Sequence, residues 1–217
     1  MKTKDRILQA ALRQFNELGT DQATVRSIAE EVGISHGNLC YHYKNTDELI
    51  EALYLQLVAE ISPFAESAFR PDIDLQEVWE QSWLTFQLMY RYRFLLLDFA
   101  RIIRRIDSMR QNFRQLMVVR RQQFHHGLQQ LIDHGWMEPE PLPGQYDHLV
   151  TQFLIIGNHW ITASTIQFEQ EGEEVVRYYH RAMMALLFPY LSEKGKQMHR
   201  ELAPDGKSGL YSSPRRD

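Results

Sequence analysis

The sequence predicts an all-α protein of about nine helices, a head of three short helices followed by a longer helical bundle. Three observations point there: apolar residues recur at spacings of three and four, almost nothing alternates with period two, and glycine and proline cluster between periodic segments rather than inside them.

The elements follow in order. Over 4–18 the residues Leu8, Ala11, Leu12, Phe15 and Leu18 form one apolar face, and Gly19 supplies the stop. A helix over about 25–32 has Thr24 to cap it and Gly33 to end it, and a third covers about 36–43 after Ser35. Asn45 with Glu48 resembles a capping box, opening a helix with the stripe Leu49, Leu53, Leu57 and Ile61 that Pro63 is expected to end or kink. From 74 the face Leu75, Trp79, Ser82, Phe86 and Tyr90 continues to Phe94. Phe99, Ile102, Ile103 and Ile106 mark a shorter element, and Phe113, Leu116, Met117, Phe124, Leu128, Leu131 and Ile132 a long one ending near Gly135. Pro139, Pro141, Pro143 and Gly144 make the clearest loop, after which two helices span about 146–168 and 173–191. From Ser192 apolar residues thin out, so the expected organisation is a head over 1–46, a bundle over 47–191 and a mobile tail over 192–217.

Composition bounds the function. With 217 residues, 44% of them hydrophobic, the chain can bury a sizeable core in one or two domains. The 24 Lys and Arg against 28 Asp and Glu give a net charge of −4, which excludes a polycation that coats nucleic acid but leaves room for a local reading face. The lone Cys40 excludes an intramolecular disulfide and a thiolate-type structural zinc site, and with no signal peptide or membrane span in view a cytoplasmic location is expected. Enzyme readings fail: the nine histidines are dispersed, His125 and His126 are adjacent rather than one turn apart, and no HExxH, P-loop, GxSxG or paired-Cys pattern occurs. No metal or cofactor is expected.

The informative segment is TVRSIAEEVGISHGNLCYHY, residues 24–43. Two helices of about two turns joined across Gly33-Ile34-Ser35 match a helix-turn-helix, in which the second helix is offered to the DNA major groove. Ile28, Ala29 and Val32 on one helix, with Leu39 and Tyr43 on the other, supply the shared core. Spacing alone leaves open a tight glycine turn in a scaffold. Residues from about 5 to 53, through RILQAALRQFNELG, TVRSIAEEVGIS and LCYHYKNTDELI, resemble the DNA-binding domain of the TetR family of bacterial transcriptional regulators. The remainder resembles the family's helical regulatory domain, RYRFLLLDFARIIRRIDSMRQNFRQL with RRQQF and LIDHGWM being similar to one subgroup of it.

That resemblance implies DNA contacts. Cys40 stands where the family usually has Tyr, and Thr46 where it usually has Lys; both positions commonly meet phosphate, and Lys44 could replace some of the lost charge. The segment 1–50 carries 6 Lys and Arg against 7 Asp and Glu, so affinity leans on helix N-termini and on a doubling of contacts in a dimer. Thr24, Val25, Arg26 and Lys44 are the expected backbone contacts, with Lys2 and Lys4 as a basic arm. Ser35, His36, Gly37 and Asn38 occupy the first turn of the recognition helix; Asn38 can bond an adenine edge and Tyr41 can pack on a thymine methyl. Tyr41 or His42 can donate to phosphate; the alternative for His42, as for His36, is a solvated face or an internal hydrogen bond.

Behind the head, the resemblance implies a homodimer through the last two helices, and Phe153, Ile156, Trp160, Val176, Tyr179, Met183 and Leu187 are the expected interface; the same faces could instead bury one another within the monomer. It likewise implies an effector cavity lined by Trp79, Trp83, Phe86, Met117, Phe124, Asn158 and His159, although an aromatic stripe is more often core. The arginines at 101, 104, 105, 110, 114, 120 and 121 read first as a solvated face meeting carboxylates, with an anionic ligand or second DNA contact as the other reading. Cys40, beside Tyr41 and His42, could serve as a redox switch. The whole is expected to be a dimeric repressor released by a small molecule from a palindromic double-stranded DNA operator; the alternative is a helical ligand-binding or scaffold protein that has lost DNA reading.

Overall fold

The computed structural model describes residues 2–67, 70 and 72–204. These form α1 (Thr3–Leu18), α2 (Val25–Val32), α3 (His36–His42), α4 (Thr46–Glu66), α5 (Leu75–Arg91), α6 (Arg93–Leu97), α7 (Phe99–Arg105), α8 (Asp107–Asp133), α9 (Gln145–Gln167), α10 (Glu173–Ala185) and α11 (Glu193–Leu202), with a 3-10 turn at Phe188–Tyr190. Among the described residues there is no strand, only an isolated antiparallel bridge between Met137 and Leu191. No described helix is long and apolar enough to cross a membrane.

The chain forms two compact units, one from the described residues of 1–60 and 91–115, the other from those of 61–90 and 116–217. The expected reading segment lies within the first. There Ile7, Ala10, Ala11 and Phe15 of α1 are buried, as are Ile28, Ala29, Val32, Leu39, Leu49, Ile50 and Leu53, the inward stripe of each amphipathic helix. Polar groups then fix the register. Arg6 Nη2 donates to the Val32 carbonyl at 2.5 Å, satisfying an orphan acceptor at the end of α2. Gln14 accepts from Ser27 Oγ at 2.6 Å, and Arg13 meets Glu31 through two nitrogens at 2.9 and 2.6 Å.

Helix α5 and its neighbour depart from expectation. The face expected to run on to Phe94 breaks at Tyr92, which is fully buried with its hydroxyl donating to Glu60 Oε1 at 2.7 Å. A continuous helix would give the backbone groups at the break to their own neighbours; here α1 supplies the partners. Asn16 Nδ2 donates to the Arg91 carbonyl at 2.8 Å while its Oδ1 accepts from Phe94 N–H at 3.1 Å, and Phe15 packs against Phe94 with ring centroids 5.0 Å apart. The break is therefore a tertiary event, invisible to periodicity. Pro63 likewise does not end α4, which continues to Glu66; Pro63 and Ala59, the residue whose carbonyl it leaves unpaired, are both exposed, so water can take the lost bond.

The second unit corrects the expected tail. Residues 193–202 form α11, and of the rest of that tail residues 205–217 lie outside the described residues. Ser192 caps α11 by accepting from Gly195 N–H at 3.2 Å and also donates to the Gly135 carbonyl at 2.7 Å. Gly195 is needed for room, because a Cβ there would stand 2.2 Å from the Trp136 carbonyl oxygen. Lys194 places its ammonium 3.5 Å from the centre of the Trp136 ring. These are contacts over long sequence separation, and a polar composition does not announce them.

Asn16→Ala removes both partners of the α5–α6 break and should destabilise the fold by about 1–2 kcal/mol, since Phe94 N–H and the Arg91 carbonyl lose their bonds. Urea unfolding would read this, and an unchanged midpoint would contradict the role given to Asn16.

Candidate nucleic-acid interface

Local chemistry sets the geometry of α2 and α3. Thr24 is extended at φ −119° and ψ 156°, and its hydroxyl accepts from Ser27 N–H at 3.1 Å while Ser27 Oγ accepts from Thr24 N–H at 3.0 Å. This reciprocal cap starts α2. At the other end Gly33 sits at φ +73°, with Ile34 N–H bonded to the Ala29 carbonyl and Gly33 N–H to that of Glu30, the paired pattern of a left-handed helix terminus. A side chain at Gly33 would meet no neighbouring atom, so the constraint there is backbone conformation alone. Two residues on, Ser35 Oγ accepts from Asn38 N–H at 3.2 Å and opens α3.

The outcome is a helix buried at one residue, half-buried at Cys40 and His42, and open along the rest. Leu39 is fully buried, while Ser35, His36, Gly37 and Asn38 are exposed and Tyr41 is 86% exposed. Thr24, Arg26, Lys44 and Lys4 are exposed as well; Val25 and His42 are half-buried. Most of the expected DNA-facing residues are thus open to solvent, though several are engaged. Arg26 reaches Glu30 at 3.3 Å with both side chains well exposed, a pair that water and salt weaken. Lys4 holds its ammonium 5.4 Å from the centre of the Tyr43 ring, and Tyr41 lies edge-on to His42 at 5.4 Å. His36 Nε2 lies 3.5 Å from the half-buried Cys40 sulfur. The capping arrangement at α4 is displaced by one residue from expectation: Asn45 Oδ1 accepts from Glu48 N–H at 3.0 Å, but the Glu48 carboxylate takes Lys44 N–H at 2.8 Å.

Sequence reasoning missed two features of this unit. Tyr43 is buried as expected, but its hydroxyl has no hydrogen-bond partner among the described residues, and burial, reinforced by the nearby Asp5 carboxylate, pushes that hydroxyl up to about 12. More consequential is charge. Counting 1–60 with 91–115, the first unit holds 13 Lys and Arg against 11 Asp and Glu, or +2, although 1–50 alone is −1. The fold recruits arginines from the end of α5, from α6 and α7 and from the start of α8, which no count along the first fifty residues could include.

The residues expected to line an effector cavity are only partly brought together. Trp79, Trp83 and Phe86 gather on His180, with ring centroids 4.9, 5.5 and 5.6 Å from the imidazole. Asn158 Nδ2 points at Met117 Sδ from 3.7 Å, Phe124 packs on Phe153 at 5.6 Å, and His159 is exposed. His180 itself was not anticipated, although it lies one turn beyond Val176 on the same stripe. It is almost wholly buried, its Nε2 lies 2.7 Å from Ser82 Oγ, and burial lowers its pKa to about 4 against the opposing bond to the Trp79 carbonyl.

The expected dimer face also needs correction. Phe153, Trp160, Val176, Tyr179, Met183 and Leu187 are all buried against their own chain, leaving only Ile156 half-buried. Trp160, for example, stacks on Phe86 at 5.1 Å and packs on Tyr179 at 5.7 Å. Their apolar load serves the unit's own core. The outward side of α9 carries Ile155, 57% exposed, Ile166, 80% exposed, and His159 between them. Among the described residues no group of His, Cys, Asp and Glu is placed to hold a metal ion. The arginine-rich stretch largely follows its simpler reading: Arg101 pairs with Asp21 and Asp98, Arg105 with Asp47, Arg110 with Asp107 and Arg121 with Asp147.

Comparison with known proteins bears on both units. Residues 7–53 match the model for bacterial regulatory proteins of the tetR family, and residues 54–198 the model for a bacterial transcriptional repressor of the TetR type. The transcriptional regulator SrpR of Pseudomonas putida is 32% identical over 79 residues, 36% of this chain and 35% of that protein, so the chain spans about a third of this curated relative's length. Among solved structures, a TetR-family transcriptional regulator from Marinobacter aquaeolei superposes with a TM-score of 0.85 at 21% identity, covering 94% of this chain and 98% of that one. SmeT, the repressor of a Stenotrophomonas maltophilia multidrug efflux pump, superposes at 0.62 with 17% identity, covering 89% and 92% of the two chains. These structural likenesses concern the fold.

His180 gives a pH signature. Its folded pKa of about 4 lies below the usual 6.5, so protonation favours the unfolded chain: the stability it contributes is whole above pH 6.5 and is lost as the pH falls toward 4. The loss should be on the order of 3 kcal/mol, read by denaturant unfolding at a series of pH values, and His180→Leu should flatten that part of the profile. A wild-type profile with no decline over this interval would exclude a neutral buried imidazole.

Proposed function

Because the chain belongs to the TetR family of bacterial transcriptional regulators, we propose that it acts as a homodimeric repressor that reads a palindromic double-stranded DNA operator through α3 and is released by a small-molecule effector. The observation that carries this is the state of α3: one buried anchor, Leu39, beneath an exposed row of His36, Gly37, Asn38 and Tyr41, aimed by the Gly33 turn and the Ser35 cap. A scaffold helix would bury more of its surface. Asn38 offers the paired donor and acceptor that match an adenine edge, Tyr41 offers a ring to a thymine methyl, and Thr24, Arg26, Lys44 and the amides at the start of α2 suit phosphate.

Two-fold symmetry would place one α3 from each protomer on successive major-groove faces. With the earlier interface set buried in the monomer, the outward side of α9, centred on Ile155, His159 and Ile166, is the better face for a second copy. The effector site is proposed around Trp79, Trp83 and Phe86 of α5, where aromatic surface meets the buried His180 and the half-buried Ser82. A lipophilic, ring-containing molecule fits that chemistry, and it would act by favouring the conformation in which the two reading heads no longer match the operator.

Asn38→Ala should reduce specific binding by about 1–3 kcal/mol without altering the melting temperature; competition between operator and scrambled duplex measures it, and equal discrimination by both proteins would remove Asn38 from base reading. Ile155→Glu with Ile166→Glu should shift the protein from dimer to monomer in sedimentation, and a dimer that survives both changes would place the interface elsewhere.

A further inference from the structure

We propose that the C-terminal turn of α7, through Arg104 and Arg105, forms a second, backbone-directed part of the DNA interface beside the first turn of α4. The inference goes beyond α3 and rests on the DNA-binding reading above.

Helix α7 is fastened at two places on the reading unit. Arg101 pairs with Asp21 and donates to Thr20 Oγ1 at 2.8 Å, in the turn that leads to Thr24 at the start of α2. One turn on, Arg105 pairs with Asp47 at 2.8 Å, in the first turn of α4, three residues past Lys44. Both fastenings adjoin helix N-termini, where free amides and the helix dipole favour phosphate. Arg104, between them in sequence and exposed, has no ion pair among the described residues. Position 46, at the start of α4, carries a neutral threonine, so the cations nearest that terminus come from Lys44 and from α7.

The partner is identified by charge and geometry. Arg105 and Asp47 are both partly open to water, with 37% and 42% of their side chains exposed, so the pair is weak and exchangeable. A phosphate arriving at the first turn of α4 offers the guanidinium a stronger, bidentate acceptor than the aspartate it leaves. The arginines of α7 also contribute to the balance of the unit, +2 where residues 1–50 alone are −1. In the free protein Asp47 holds Arg105 in place; on DNA the arginine turns to the backbone, and Asp47 becomes an opposing charge.

This arrangement predicts opposite effects from the two halves of one ion pair. A duplex selected by the wild-type protein from a randomised library serves as probe, with affinity measured over a salt series. Arg105→Gln and Arg104→Gln should each flatten the plot of log affinity against log salt by about one unit per contact, hence about two per dimer, and weaken binding several-fold at low salt. Asp47→Asn should tighten binding several-fold, and Arg105→Lys should retain most of the wild-type slope. If Arg105→Gln and Asp47→Asn weaken binding alike, the pair is only a structural clamp and the proposal falls; unchanged slopes in both Arg→Gln variants also overturn it. Arg104→Gln, at an exposed unpaired residue, remains readable even if Arg105→Gln fails to fold. A wild-type protein that selects no duplex would overturn the DNA-binding reading itself, and this contact with it.

Discussion

A helix of seven residues cannot hold its own shape in water, and α3 is that short. Everything about the reading surface depends on this constraint. Because α3 keeps Leu39 as its one fully buried residue, its direction is set by what lies on either side: the left-handed Gly33, the Ser35 cap, and the core of α1 and α2 beneath. The polar ties Arg6 to Val32, Gln14 to Ser27 and Arg13 to Glu31 fix α2 against α1, and hence fix the floor on which α3 rests. A surface free to carry almost any side chain is possible because the specification of shape has been moved off it.

What the sequence made legible divides along the same line. Caps and turns are local chemistry, so Thr24, Gly33 and Ser35 could be read directly, and the exposure expected of His36, Gly37, Asn38 and Tyr41 followed from a helix with its apolar residues on one side. The all-α class and most helix limits came from the same periodicity. The break at Tyr92 could not be read this way, because an apolar stripe continues through it and the groups that satisfy it come from Asn16, more than seventy positions earlier. Helix α11 was hidden for the related reason that its anchors, Ser192 and Gly195, work through Gly135 and Trp136.

Apolar load was the least informative signal. The stripe containing Phe153, Trp160, Val176, Tyr179 and Met183 was strong enough to suggest a subunit interface, yet it closes the core of its own unit, and periodicity has no means of saying which partner a face will meet. The aromatic residues of α5 behave similarly: Trp79, Trp83 and Phe86 do converge, but on a histidine from α10 rather than on the full set expected. Charge misled in the opposite direction. Summed along the chain the head is acidic, and only folding sums it with arginines about fifty residues further on.

The Asn16 clip has a consequence for how the protein meets changing conditions. A carboxamide offers a donor and an acceptor together and does not titrate, so the two bonds that hold the α5–α6 junction keep the same strength in acid, in base and in concentrated salt. The fastenings made by Arg101 and Arg105 loosen as ionic strength rises, and the protonation of His180 follows acidity. This junction is therefore deaf to both variables, while those other groups respond to one or the other. An aspartate at position 16 would keep the acceptor for Phe94 but set a negative oxygen against the Arg91 carbonyl, so the neutrality of the residue matters as much as its reach.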